Sequence, residues 1–129
     1  MKNRLYISLS LVVLLGLGSA PAVLAQQTPA QTEAIAKAIK DATPNFEKHC
    51  VGCHGDKGQG GIGPKLPGNN NLKDVKTLIN QLLEGGQDMP GFKMALNDAE
   101  VAALATLVRN SWGNQLGLIT EADVKPLRK

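Results

Sequence analysis

The stretch HCVGCHGDKGQGGIGPKLPG, His49 to Gly68, constrains this chain more than any other feature. Two thiols, Cys50 and Cys53, stand three residues apart, and the imidazole of His54 follows at once. The run after it is so rich in glycine and proline that neither a helix nor a strand can form there. Whatever the thiols and imidazole hold must therefore be reached by one short ordered segment and covered by an irregular one. Three chemistries compete for such a set: a structural zinc site, a redox disulfide and a covalently attached haem.

A structural zinc ion takes four protein ligands in a tetrahedron, usually from two separated pairs. Here the candidates Cys50, Cys53, His54 and His49 fall within six consecutive residues, a poor frame for tetrahedral closure. A redox C-x-x-C pair belongs in a βαβ context, and no alternating apolar pattern of useful length exists in the chain. Covalent haem fits the remaining facts. C-x-x-C-H is the attachment signature of c-type haem. One helical turn sets Cys50 and Cys53 where each sulfur can add to one porphyrin vinyl group, with His54 presenting a nitrogen to iron.

The N-terminus speaks for the compartment. Lys2 and Arg4 precede an apolar run from Leu11 to Gly18, and Ala20 to Ala25 reads APAVLA. A basic start, a short apolar middle and small residues at the end form a secretory signal. Residues 1–25 are thus expected to be removed after Ala25, giving an exported, periplasmic protein. Retention as an anchor is the alternative, since Leu5 to Leu24 approaches the roughly 20 residues of a membrane span.

Cleavage of 25 of the 129 residues leaves 104, the size of one domain. The mature segment carries 12 basic and 11 acidic residues, a net charge of +1. No Lys/Arg cluster marks a nucleic-acid footprint, which excludes a generic polyanion binder. Its aromatic residues are only Phe46, Phe92 and Trp112. Aromatics supply much of the buried area of most cores, so a flat apolar cofactor is expected to fill the centre.

Apolar periodicity predicts an all-α chain. Residues 26–43 read as a polar arm and a short helix, Thr32 to Ala42, carried by Ala34, Ile35, Ala38 and Ile39. Thr43-Pro44 reads as a break and a fresh start. A second helix then runs from Pro44 to about Cys53 and opens the main domain, 44–129. Leu72, Val75, Ile79, Leu82 and Leu83 predict a helix from Leu72 to Glu84, closed by Gly85-Gly86. Asn97 with Glu100 forms a capping pattern before a last helix that ends near Asn110. Beyond Trp112 the tail is weakly patterned.

The two methionines beyond the signal are Met89 and Met94. Met89 lies in the loop QDMPGF, among glycines that let backbone approach a haem face, and is the expected second iron ligand. Met94, at the entry to the last helix, reads as core filling. A haem histidine donates its other N–H to an oxygen. The Pro64 carbonyl can be that acceptor, or Pro64 can simply stiffen the loop. Leu66 and Leu72 are expected at the ring edge, and His49 at the surface. Lys57, Lys65 and Lys93 either ring an exposed haem edge and steer an acidic partner, or are merely solvated.

CVGCHG, GIGPKLPG, DMPGF and LNDAEVAALATLVRNSWGN, in that order, resemble the class I monohaem c-type cytochromes over about Pro44 to Asn114. The resemblance implies a small helical domain wrapped around one haem c, with iron held by His54 and Met89. It implies that the Pro64 carbonyl accepts from His54, and that Phe46 packs against Leu104 and Leu107. Leu107 itself stands where the family usually has an aromatic residue. The resemblance also implies an electron carrier rather than an enzyme, shuttling single electrons between periplasmic redox proteins. The ending RNSWGN is similar to cytochrome subunits of periplasmic dehydrogenases and terminal oxidases, so a permanently docked subunit is the alternative. A haem enzyme or sensor with an open sixth position ranks below both.

Overall fold

The structure, a computed structural model, describes residues 27–129; the expected signal segment and its cut after Ala25 lie outside the described residues. Five α-helices follow in order among them: α1 Pro29–His49, α2 Val51–His54, α3 Val75–Glu84, α4 Asp98–Asn110 and α5 Glu121–Val124. Short 3-10 turns at Asn70–Leu72 and Lys125–Leu127 complete the regular structure. The described residues contain no strand, in keeping with the all-α expectation; the nearest approach is one isolated bridge between Gly86 and Met89.

The expected break at Thr43-Pro44 is absent. One helix of 21 residues runs from Pro29 to His49 with Pro44 inside it. Its start is set by Thr28, whose hydroxyl accepts from the Gln31 N–H while the Gln31 side chain accepts from the Thr28 N–H. The first turn thus takes in residues expected to be an unstructured arm. An interior proline removes one backbone bond and costs about 3 kcal/mol. Here the opposing term is larger. Ile35, Ala42 and Phe46 are buried and Ile39 is half-buried, so one apolar stripe passes straight through the proline position. Burial of a large aliphatic or aromatic side chain is worth roughly 1.5–3 kcal/mol each, and a break would rotate half the stripe out of register. Pro44 sits on the exposed side, where water can solvate what its ring displaces.

The helix pauses at Cys50 and resumes for one turn, with His54 N–H donating to the Cys50 carbonyl at 2.9 Å. α3 begins at Val75 rather than Leu72, because the Asp74 carboxylate caps the Thr77 N–H at 2.6 Å and the residues before it form the 3-10 turn. That bond holds the Asp74 carboxyl below its ordinary range.

α4 is the centre of the molecule. Val101, Ala102 and the run Leu104 to Arg109 are all buried. A helix buried on nearly every face must be wrapped by others, and α1, α3 and α5 do so, α1 most extensively. Its N-terminus carries the expected Asn97–Glu100 capping box. Phe46, Leu104 and Leu107 share one buried cluster. Trp112 lies beside Phe46 with ring centroids 5.3 Å apart, bringing an aromatic ring to the region where Leu107 replaces one.

The weakly patterned tail after Trp112 follows a largely irregular path up to α5 but is firmly tied down. Thr106 and Ile119 exchange hydrogen bonds of 2.9 and 3.2 Å between hydroxyl and backbone, Val124 is wholly buried, and Arg128 donates to Asp98 and to the carbonyls of Lys93 and Leu96. This closing strap fixes the loop that follows Met89. Among the described residues no helix is long and apolar enough to cross a membrane.

Candidate functional site

A cavity of about 560 Å³ opens between the C-terminal end of α1, the following loop, α3 and the loop after it. Its wall includes Cys50, Cys53, His54, Pro64, Leu66 and Met89, so the candidate residues from three separate stretches of chain come together. Phe46, Leu72, Leu78, Leu82, Phe92 and Val108 give it an apolar lining. Mostly apolar concavities of this size with a few convergent polar groups are the usual form of cofactor sites.

Each polar group has a physical setting. Cys50 and Cys53 are free thiols. Burial, and then the neighbouring Cys53, push the Cys50 thiol up to about 11. A redox C-x-x-C pair calls for the opposite, a thiol lowered toward thiolate, and the described residues lack the βαβ frame in which such pairs sit. Zinc fares no better: among the described residues no three His, Cys, Asp or Glu side chains gather as a metal-binding group.

His54 Nδ1 lies 2.8 Å from the Pro64 carbonyl oxygen. A carbonyl can only accept, so Nδ1 carries the proton and Nε2 keeps its lone pair for another partner. The loop permits this because of Gly63. A Cβ there would stand 2.9 Å from His54 Cε1 and 3.1 Å from Nδ1, closer than the ring allows. Further turns of the loop are tied down by Gly63 N–H to the Cys53 carbonyl at 2.9 Å and Leu66 N–H to the Gly58 carbonyl at 2.8 Å.

The methionines separate cleanly. Met89 is half-buried on the cavity wall, held where Gly86 and Met89 exchange backbone bonds of 2.9 and 2.8 Å. Met94, expected as core filling, is instead 95 % exposed and lies outside the cavity. His49, expected at the surface, lines the cavity with its ring centroid 5.4 Å from that of Phe92. None of Lys57, Lys65 and Lys93 lines it, and Lys93 is paired with Glu84 at 3.0 Å.

RNSWGN has a structural role that its resemblance alone does not reveal. The buried Arg109 donates to the carbonyls of Leu72, Lys73, Leu116 and Gly117, tying the cavity wall to the C-terminal segment. Asn110 and Gly117 exchange hydrogen bonds of 2.9 and 3.0 Å. Asn114 reaches back to the loop, accepting from Gly68 N–H at 2.9 Å and donating to the carbonyls of Leu66 at 3.2 Å and Val108 at 2.9 Å. The one sequence signal for these roles is an amide-rich run directly after an apolar helix, where helix C-terminal carbonyls need donors.

An apolar slot that joins a buried and a half-buried thiol, an imidazole with one free nitrogen and a thioether suits a flat, apolar, iron-bearing ring bound through sulfur. The fold and site define a small c-type cytochrome domain. Residues 37–108 match the family described as cytochrome c oxidase, cbb3-type, subunit III, and the chain belongs to this family of c-type cytochrome domains, which carry covalently bound haem c with its iron and transfer electrons. The chain is 32 % identical over 100 residues to the cytochrome c subunit of the quinone alcohol dehydrogenase of Gluconacetobacter polyoxogenes, a match covering 64 % of this chain and 21 % of that one. It is 31 % identical over 62 residues to cytochrome c-550 of Bacillus subtilis, covering 46 % of this chain and 52 % of that one. The match thus spans about a fifth of the dehydrogenase subunit and about half of the cytochrome c-550.

Proposed function

We propose that this chain is an exported electron carrier whose haem is bound through Cys50 and Cys53 and whose iron is held by His54 and Met89. The observation that carries the reading is the single cavity that gathers all four, with His54 Nδ1 committed to Pro64 at 2.8 Å. When bound, the haem iron supplies one-electron chemistry, accepting an electron from a donor protein and passing it to an acceptor with no atom transferred.

The residues supply the rest. The Pro64 carbonyl fixes the His54 tautomer and ring orientation and makes the imidazole a stronger donor. A thioether in the second position raises the potential relative to a second imidazole. Leu66, Leu72, Phe92 and Val108 exclude water, which favours the less charged reduced state. The arm from Lys2 to Ala25 supports export to the periplasm, and residues 44–129 form the haem-binding domain on this reading, buttressed by the first half of α1.

The partners proposed are redox proteins, with a dehydrogenase or terminal oxidase the leading class. Permanent docking in such a complex is favoured by the likeness to dehydrogenase cytochrome subunits. Size-exclusion of the native periplasmic fraction separates the two: a complex elutes with its partner, a free carrier alone.

The ligand set is tested by Met89→Ala. Haem stays attached, the potential falls, the weak ferric Met–iron band in the red vanishes and the ferrous protein binds carbon monoxide. An unchanged spectrum refutes the assignment. Replacing Cys50 and Cys53 together by Ala abolishes covalent haem.

A further inference from the structure

A glutamine in the middle of a helix usually reads as part of a solvated face, and nothing in the sequence around Gln81 suggests otherwise. In the structure Gln81 is half-buried on the cavity wall. Its side-chain Nε2 lies 3.5 Å from the sulfur of Met89, within range for an N–H···S hydrogen bond. A thioether is a weak acceptor, but the surroundings are apolar, where such a bond is electrostatically stronger than in water.

A second observation shows that the pairing is built in. The Gln81 amide lies against the turn that carries Met89. A Cβ on Gly86 would stand 3.3 Å from Gln81 Nε2 and 3.4 Å from Oε1. The missing side chain leaves room for the amide, and the paired backbone bonds between Gly86 and Met89 lock the sulfur's carrier to the same spot. The Gln81 amide thus adds a contact at the sulfur itself to the backbone bonds from Phe92 to Leu82 and from Lys93 to Leu83 that join the loop to α3.

We propose that Gln81 is a positioning residue for Met89, holding the thioether in one orientation and drawing electron density from its sulfur. The inference rests on Met89 being an iron ligand. Methionine has three rotatable bonds and a diffuse sulfur, so an N–H donor on one lone pair selects among rotamers. It also makes the other lone pair a poorer donor. Ferric iron depends on that donation more than ferrous iron, so the hydrogen bond favours reduction. Hydrogen bonding to the ligands is one of the levers by which a protein sets a haem potential.

The test uses the holoprotein at neutral pH, titrated against mediators of known potential. Gln81→Leu keeps bulk and removes the donor. Its reduction equilibrium constant is expected to fall about threefold, roughly 28 mV at the 59 mV per decade of a one-electron couple. Gln81→Glu presents only acceptor oxygens and should fall further. In both variants the ferric red band shifts without carbon monoxide binding. A purely packing role moves stability but not potential. Leu and Glu variants with wild-type potential and band position, or with a raised potential, overturn the proposal. Met89→Ala, measured alongside, keeps the two readings apart. If its red band survives, the ligand assignment fails; if that band is lost while Gln81→Leu is silent, Gln81 alone fails.

Discussion

Asn114 offers the sharpest test of how the haem loop is held. Its side chain is 9 % exposed and makes three hydrogen bonds: it accepts from Gly68 N–H and donates to the carbonyls of Leu66 and Val108. Val108 lies near the end of α4, whose terminal carbonyls have no partner within the helix. Leu66 keeps a second partner, Asn69 N–H at 3.2 Å, and Gly68 is exposed enough for water to replace the lost acceptor. Asn114→Ala therefore orphans one carbonyl fully and weakens two contacts. At about 1 kcal/mol per net bond and 1–3 kcal/mol per orphaned group, the loss is about 3 kcal/mol. For a domain of this size that lowers Tm by roughly 12–24 °C.

Asn114→Asp sharpens the argument by changing charge without shape. The carboxylate still accepts from Gly68 but turns an oxygen toward the Leu66 and Val108 carbonyls. Burial and those two oxygens raise its folded pKa above the unfolded value of about 3.9. Relative to Asn114→Ala, the Asp variant is thus stabilised fully below pH about 3.9 and loses that advantage as pH rises through the folded pKa. Denaturant unfolding of both variants between pH 4 and 8 measures this. An Asp variant as stable as wild type at neutral pH would refute the reasoning, because the two donated bonds would then count for nothing.

Two further substitutions probe the elements around the site. Gly63→Ala puts a Cβ at 2.9 Å from His54 Cε1, so the ring must move off the Pro64 carbonyl; a stability loss of about 1–3 kcal/mol from overpacking and, because the imidazole becomes a weaker donor to ferric iron, a raised potential are expected, checked by thermal unfolding and redox titration. Pro44→Ala restores a backbone N–H inside α1 at an exposed position, and a gain of about 1 kcal/mol is expected from the regained bond; a destabilised variant in a thermal melt would mean that the proline sets the helix's path.

Local chemistry made some of the structure legible in advance and left other parts hidden. The C-x-x-C-H set, Pro64 and Met89 could be read as one site because each is constrained by its immediate neighbours: a helical turn, a proline in a glycine run, a methionine between turns. The Asn97–Glu100 capping pattern is local too, and α4 starts where it predicts. What departed from expectation turned on tertiary context. Thr43-Pro44 looks like a boundary because propensity weighs four or five residues at a time. The apolar stripe from Ile35 to Phe46 weighs the whole face that α4 covers. Met94 is exposed and the half-buried His49 reaches the cavity wall for the same reason: exposure belongs to the packed molecule, and His49 follows the spacing of Ala42 and Phe46.

RNSWGN shows how far that logic extends. As a string it marks a resemblance; as a structure it is a set of donors that bind two loops distant in sequence to the end of the central helix. Among the described residues no carboxylate lies at hydrogen-bond distance of Arg109, its charge is spread over four carbonyls, and burial pushes its pKa down. Removing such a charge from water costs several kcal/mol, a cost that packing alone would not require. The fork reaches Leu72 on the cavity wall and Leu116 in the tail at once, a span that lysine's single ammonium cannot reproduce. The rigid wall that results is what an electron carrier needs, since a site that barely rearranges between oxidation states presents a small barrier to transfer. The same polar clamp therefore serves the fold by closing it and the function by keeping it still.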